Sequence, residues 1–192
     1  MKGHSIAGMS TARDRVAHDF YATPIESTRK ILDKEKLFGA VLEPACGNGA
    51  ISKEIICTYP NIELYSSDLV DRGYGLPRNE DFLKSKMTLD SIDIVITNPP
   101  FNLFQEFAEK ALEIARYKVI LFGKLQALEG QKRATFMENS PLRTVYVFKA
   151  RQNPLRNGSP LDENGKPWAS TMAFAWFVWE IGYVGKPMIE WI

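Results

Sequence analysis

Polar and apolar positions follow two alternating periods along this chain. Residues 1–19 are polar, contain glycine and serine, and read as a loose N-terminal arm. Thr23-Pro24-Ile25-Glu26 then reads as a helix start, with Thr23 as N-cap, Pro24 at the first position and Glu26 closing a capping box. That helix is expected to run to about Lys36. Gly39 to Leu42 forms a short apolar strand, followed by a glycine-rich turn and a helix with Ile51, Ile55, Ile56 and Tyr59 on one side. Ile62 to Tyr65 is a strand ending in Ser66-Ser67-Asp68, and Ile92 to Thr97 a strand ending in Asn98-Pro99-Pro100. Leu103, Phe104, Phe107, Ala108, Ala111, Leu112 and Ala115 recur at helical spacing. Tyr117 to Phe122 is another strand, and about 127–138 a polar helix.

Strands alternating with helices imply parallel strands, right-handed crossovers and an open, doubly wound α/β sheet. The ending differs: Arg143 to Phe148 and Thr171 to Glu180 read as strands with no helix between them, which makes them antiparallel. The segment between them, 149–170, is rich in Asn, Pro, Gly and charge and reads as a long loop. No internal repeat interrupts this order.

Composition narrows the class. At 192 residues, 45% hydrophobic and 24% charged, the chain suits one folded domain. Two cysteines, Cys46 and Cys57, and two histidines, His4 and His18, cannot form a disulfide framework or a structural zinc site, so no metal is expected. No apolar run is long enough for a membrane helix, and the expected location is the cytoplasm. The net charge of +1 is uneven. From Arg116 to Arg156, nine basic residues face only Glu129 and Glu138, a surplus of seven against a deficit of six elsewhere. Such a segment suits either a polyanion partner or a solvated surface.

Four groups of residues carry chemistry. Glu43-Pro44-Ala45-Cys46-Gly47-Asn48-Gly49 joins a strand to a helix; its glycines let backbone approach a ligand. Ser52 stands where a dinucleotide fingerprint has its third glycine, so an acid followed by Gly-x-Gly better suits a cationic nucleoside bearing an amino acid. Asp68 follows Gly49 by 19 residues, a spacing that suits an acceptor for ribose hydroxyls. Asp81-Phe82 pairs a carboxylate with a ring, suited to an adenine amino group and base face, or to a turn and the core. Asn98-Pro99-Pro100-Phe101 carries most weight. Two prolines fix a bend at the end of an apolar strand, where open α/β sheets bind ligands. Asn98 oxygen and the Pro99 carbonyl can accept both protons of an exocyclic amine, and Phe101 can stack on a base drawn out of its helix.

Asn98-Pro99-Pro100-Phe101 resembles the catalytic motif of S-adenosylmethionine-dependent amino-methyltransferases, above all adenine-N6 enzymes. Glu43 to Gly49 resembles their cofactor loop, with Glu43 where many relatives have Asp. Asp68 and Asp81-Phe82 resemble their ribose- and adenine-binding residues, and Phe20-Tyr21-Ala22-Thr23-Pro24 the segment covering the cofactor's methionine part. Over residues 18–192, including Leu125 to Arg133 and Phe174 to Tyr183, the chain resembles compact phage- or prophage-type adenine DNA methyltransferases. The resemblance implies a Rossmann-like fold over 20–192, with a mostly parallel seven-stranded sheet, its last strand antiparallel, and helices on both faces. It implies methyl transfer from S-adenosylmethionine to adenine N6 in DNA, with the base flipped against Asn98, Pro99, Pro100 and Phe101. The implied cofactor residues are Phe20, Tyr21, Thr23, Pro24, Glu43, Pro44, Ala45, Cys46, Gly47, Gly49, Asp68, Asp81, Phe82 and Asn98.

Only 48 residues separate Gly49 from Asn98, too few for an inserted recognition domain. Short or relaxed site specificity is therefore expected, from a monomer or homodimer. Charge and position nominate Lys124, Lys132, Arg133, Arg151 and Arg156 for phosphate contacts, and Trp168, in the 149–170 loop, for a base or backbone contact. Trp176, Trp179 and Trp191 are expected in the core, and Cys46 lines the loop without acting as a nucleophile. The alternatives are an RNA adenine-N6 enzyme, a glutamine-N5 protein methyltransferase and a cofactor-binding partner subunit.

Overall fold

Five of the six residues in Ile92–Thr97 are buried, so this strand needs a cover on both faces. The computed structural model, which describes residues 20–75, 80–86, 91–156, 158–159, 161, 164–166 and 172–192, supplies it. The expected arm over 1–19 and Trp168 lie outside the described residues.

The elements in chain order are β1 (Tyr21–Ala22), α1 (Ile25–Lys34), β2 (Ala40–Glu43), α2 (Ala50–Thr58), β3 (Glu63–Ser66) and β4 (Ile92–Thr97). They continue with α3 (Phe104–Ile114), β5 (Ala115–Lys124), α4 (Gln131–Asn139), β6 (Leu142–Val147), β7 (Leu155–Arg156), β8 (Phe174–Glu180) and β9 (Met188–Trp191). A seven-stranded sheet runs β3-β2-β4-β5-β8-β6-β9. Strands β3, β2, β4 and β5 are parallel, and β8 runs antiparallel to both β5 and β6.

Alternate side chains of the sheet enter two cores. On one face α1 and α2 deliver Ile31, Leu32, Ile51 and Ile55 onto Val41, Ile94, Ile96, Ile120 and Trp176. On the other, α3 and α4 deliver Phe104, Phe107, Ala108, Ala111 and Met137 onto Val95, Val119, Leu121, Phe177 and Trp179. Burial of this two-sided kind is what lets a parallel sheet exist, and it accounts for the continuous apolar runs of β4, β5 and β8. Among the described residues no helix is long and apolar enough to cross a membrane.

The doubly wound α/β sheet read from the pattern is borne out, and particular expectations are corrected. The strand expected at Thr171 to Glu180 is antiparallel, as read, but as β8 it lies inside the sheet and is not the last: β9 follows it and pairs parallel with β6 at the edge. Pro24, not Thr23, caps α1: its extended backbone stops the turn, and its carbonyl accepts from the Ser27 and Thr28 amides. No capping box forms, because Thr23 sits one residue too early, buried and with its hydroxyl unpartnered. Ile56 faces out, since Ile51 and Ile55 already fill the buried side of α2. The polar helix begins later than expected, at Gln131, after a short 3-10 turn over Leu125–Leu128. Trp176 and Trp179 are fully buried, but Trp191, on the edge strand, is 60% exposed. The 149–170 loop contains a strand that periodicity did not reveal: β7 pairs with β1 as a separate two-stranded ribbon.

Candidate active site

Strands β2 and β4 are parallel neighbours, so the loop after Glu43 and the bend after Thr97 emerge side by side at the carboxyl edge of the sheet. Gly47 and Gly49 have φ of 54° and 77°, in the left-handed region that glycine enters without strain. The turn they make is pinned from β3: the Cys46 amide donates to the Ser67 carbonyl, and the Gly47 amide to Asp68 Oδ2 at 2.7 Å. Asp68 Oδ1 accepts from the Val70 amide at 2.9 Å, so both carboxylate oxygens hold backbone.

Three segments close over this loop. The Phe20 ring lies against Gly47, where a Cβ would come within 3.1 Å of it. The Tyr74 ring lies against Gly49 so tightly that a Cβ would sit 2.5 Å away. Gly158 backs onto the Asn48 side chain and Phe20. The Arg72 guanidinium stacks 4.3 Å from the Phe20 ring centre, and Lys53 Nζ sits 5.2 Å from that of Tyr74. Arg72, Tyr74 and Gly158 were not among the residues nominated from sequence. Tyr74 had a readable signal: it stands between Gly73 and Gly75, which turn at φ of 78° and 90°.

The ribbon of β1 and β7 ties the loop to the Asn98 motif. Asn98 Nδ2 donates to the Tyr21 carbonyl at 2.7 Å, which leaves Oδ1 to accept from another group. The Tyr21 ring lies 5.7 Å from the Phe101 ring, and Phe174 lies 5.5 Å from it on the β8 side. Pro99 is buried and Pro100 exposed; Phe101 is half-buried, with Lys124 Nζ 5.0 Å from its ring centre. Ala22 pairs with Leu155 and Tyr21 with Arg156, so the chain entering Thr23 and Pro24, and the Asn98 side chain bound to Tyr21, lie beside β7.

Other nominated residues are placed as follows. The Glu80 amide donates to the Asp68 carbonyl, which sets Asp81 and Phe82 next to Asp68. The Asp81 carboxyl accepts from the Leu83 amide and pairs with Lys84 at 2.9 Å; this partner holds it below the usual carboxylate range. The Phe82 ring is buried 5.1 Å from Phe107. Lys132 and Arg133 are exposed in the first turn of α4, Arg151 is exposed, and Arg156 is half-buried in β7. Pro44 is buried and Ala45 packs against the α3 core. Cys46 is buried, and burial, with the nearby acids Glu43 and Asp68, pushes its thiol up to about 12. A thiol in that state is no nucleophile.

Solved structures share this architecture. A protein of Vibrio vulnificus YJ016 assigned as a modification subunit of a type I restriction enzyme is 13% identical, with a TM-score of 0.62 over 94% of this chain and 48% of its own. DrdV, solved with DNA, is 12% identical, with a TM-score of 0.55 over 90% of this chain and 27% of its own. A predicted O-methyltransferase of Agrobacterium tumefaciens is 14% identical, with a TM-score of 0.51 over 79% and 77%. At these identities the likeness is one of fold, and this chain spans about half the length of the first and about a quarter of the second. No curated protein matches the chain. The family model described as "Adenine-specific methyltransferase EcoRI" matches residues 61–180, and the chain belongs to that family of S-adenosylmethionine-dependent adenine methyltransferases.

Proposed function

We propose that this chain methylates the N6 amino group of adenine in DNA, with the target base drawn out of the duplex against Asn98, Pro99 and Phe101. One observation carries the reading. The Asn98 carboxamide is fixed by its own N–H to the Tyr21 carbonyl, with its oxygen left to accept, beside a glycine loop one strand away.

The residues around that loop fit the donor. Gly47 and Gly49 let the Phe20 and Tyr74 rings close onto bare backbone where any Cβ would collide with them, and the buried Asn48 Oδ1 lacks a hydrogen-bond partner. Phe20, Tyr74 and Gly158 supply the walls, and Asp68 a carboxylate at the end of β3. S-adenosylmethionine bound there supplies a methyl group already activated as a sulfonium substituent. Asn98 Oδ1 and the Pro99 carbonyl accept the two N–H protons of the adenine amine, which turns its lone pair from the ring towards that methyl. Transfer of that methyl to the amine would leave the donor as a neutral thioether, and the amine's surplus proton would pass to water. Phe101 holds the base by stacking. Lys124, Lys132, Arg133, Arg151 and Arg156 are assigned to phosphates, and the target is reached by a monomer or homodimer in the cytoplasm.

The test is transfer of labelled methyl to duplex DNA, single-stranded DNA, RNA and protein, with the product identified by mass spectrometry beside Asn98→Ala. N6-methyldeoxyadenosine made by the wild type alone supports the reading. N6-methyladenosine in RNA, or methylglutamine, overturns the substrate and keeps the geometry.

A further inference from the structure

Glu43 ends β2 directly before the glycine loop, and its side chain turns away from solvent; the residue is 1% exposed. It points into the start of α2. That helix begins at Gly49, which has no side chain to cap it, so its first amides depend on other partners. Glu43 meets that first turn through a side chain: its Oε2 is hydrogen-bonded to Ser52 Oγ. Ser52 Oγ lies 2.6 Å from Ser66 Oγ, at the end of β3, and the Ser67 amide donates to the Glu43 carbonyl at 2.9 Å. One side chain therefore joins the ends of β2 and β3 to the first turn of α2, the three pieces that frame the glycine loop.

Among the described residues, the groups facing Glu43 carry no positive charge that offsets it. Ser52 meets it from α2, Ser66 lies behind Ser52 on β3, Cys46 and Asp68 adjoin it on the loop and after β3, and Tyr74 faces both Glu43 and Ser52. The charge acting on it is that of Asp68, which repels a second carboxylate. An unpaired ion in such a place is expensive, and a neutral acid is not. A neutral acid also completes the hydrogen bonds: its O–H can donate to Ser52 Oγ, whose own proton then goes to Ser66 Oγ. We infer that Glu43 is a positioning residue, an uncharged clasp that sets the shape of the glycine loop through Ser52, rather than a carboxylate that binds the donor's ammonium group. The inference rests on the reading of that loop as the donor's cradle.

Glu43→Gln, Glu43→Ala and Ser52→Ala, made in the full chain, separate the two roles by calorimetric titration with S-adenosylmethionine and with 5′-methylthioadenosine, which lacks the amino-acid part. A clasp predicts that Glu43→Gln restores binding to within about threefold of wild type, since a carboxamide both accepts and donates. Glu43→Ala is then expected to weaken both nucleosides by tenfold or more and by similar factors, with Ser52→Ala following it. An ammonium contact predicts the reverse. Glu43→Gln would lose S-adenosylmethionine as badly as Glu43→Ala does, with 5′-methylthioadenosine untouched by either, and that result overturns the inference. If the wild type binds neither nucleoside, the cradle reading falls. Thermal unfolding then decides the clasp alone. Glu43→Gln melting at or above wild type, with Glu43→Ala well below it, upholds it, and equal melting of the two variants overturns it.

Discussion

Glu35 precedes β2 and Glu43 ends it; they are 3% and 1% exposed, yet they lie in opposite chemical surroundings. Glu35 belongs to the amino edge of the sheet. Lys118 of β5 pairs with it at 2.6 Å, Tyr146 of β6 donates to it at 2.7 Å, and Arg143 closes the cluster while also reaching Glu180 at 2.9 Å. Burial alone would push the Glu35 carboxyl up, but the hydrogen bonds and charges of these partners outweigh it and hold the group below its usual value. Glu43 belongs to the carboxyl edge. Burial pushes it up to about 8, Asp68 adds to the rise, and the Ser52 hydrogen bonds oppose it only in part. Equal burial thus gives an ionised carboxylate at one edge and a neutral acid at the other; partners decide, not depth. The amino edge uses paired charge to lock strands together, whereas at the carboxyl edge the acid beside Asp68 has no cation to offset it among the described residues.

Removing Glu35 tests the comparison most severely. Glu35→Leu leaves Lys118 and Arg143 with no buried counter-ion, a change that costs about 3–5 kcal/mol in comparable clusters. Urea unfolding is expected to show a loss of that order, with affinity for S-adenosylmethionine unchanged in the fraction that remains folded. A loss below about 1 kcal/mol would mean that the cluster is a solvated surface network. Asn98→Ala is the counterpart at the other edge. It is expected to lower kcat by about 10²–10³-fold, the usual effect of losing one preorganised polar contact, while unfolding shifts by less than about 0.5 kcal/mol. Stability lost with activity kept at one edge, and activity lost with stability kept at the other, is the pattern to look for.

The sheet and the Asn98 motif were legible in the sequence because their signals are local. Ile92 to Thr97 is a continuous apolar run, and Asn98-Pro99-Pro100-Phe101 follows it without a gap. The glycine loop was legible for the same reason. The β1 and β7 ribbon was not: its strands are two residues each, 133 positions apart by register from Ala22 to Leu155, and two residues have no period. Strand β9 was missed because Met188-Ile189-Glu190-Trp191 is short and only partly covered. The state of Glu43 was hidden for a further reason. An acid before Gly-x-Gly is visible as a motif, but the Ser52 and Ser66 that enclose it come from two other elements, and only the fold brings them together.

The two glutamates are also expected to impose opposite pH slopes. Glu35 has a lowered value in the folded state, so its stabilising effect is full above the ordinary 4.5 and is lost as pH falls through the folded value. Glu43 has a raised value, so its contribution is full below 4.5 and declines as pH rises through about 8. Glu43→Gln removes that slope. Its stability relative to wild type is expected to rise between pH 5 and pH 8, by about 3 kcal/mol in all. Unfolding curves at four or five pH values suffice, and a flat difference across that range would place an unrecognised cation beside Glu43.

The smallest expected effect concerns the basic segment, and it follows from the same contrast between edges. Three of the nine cations between residues 116 and 156 are directed to acids at the amino edge: Arg116 to Asp93, and Lys118 and Arg143 to Glu35. Lys132 and Arg133 open α4 in solvent, and Lys124 stands at the end of β5 beside Phe101. Only cations of this second kind can release counterions from DNA phosphates. Each phosphate contact contributes about 0.9 to the slope of log affinity against log salt. The double variant Lys132→Ala, Arg133→Ala is therefore expected to reduce that slope by about 2 on duplex DNA. Arg116→Ala is expected to leave it unchanged, because its guanidinium faces Asp93 at the other edge. Titrations at three salt concentrations, read by fluorescence anisotropy, measure both. A fall in slope for Arg116→Ala would put nucleic acid on the amino edge and undo the division between a structural edge and a chemical one.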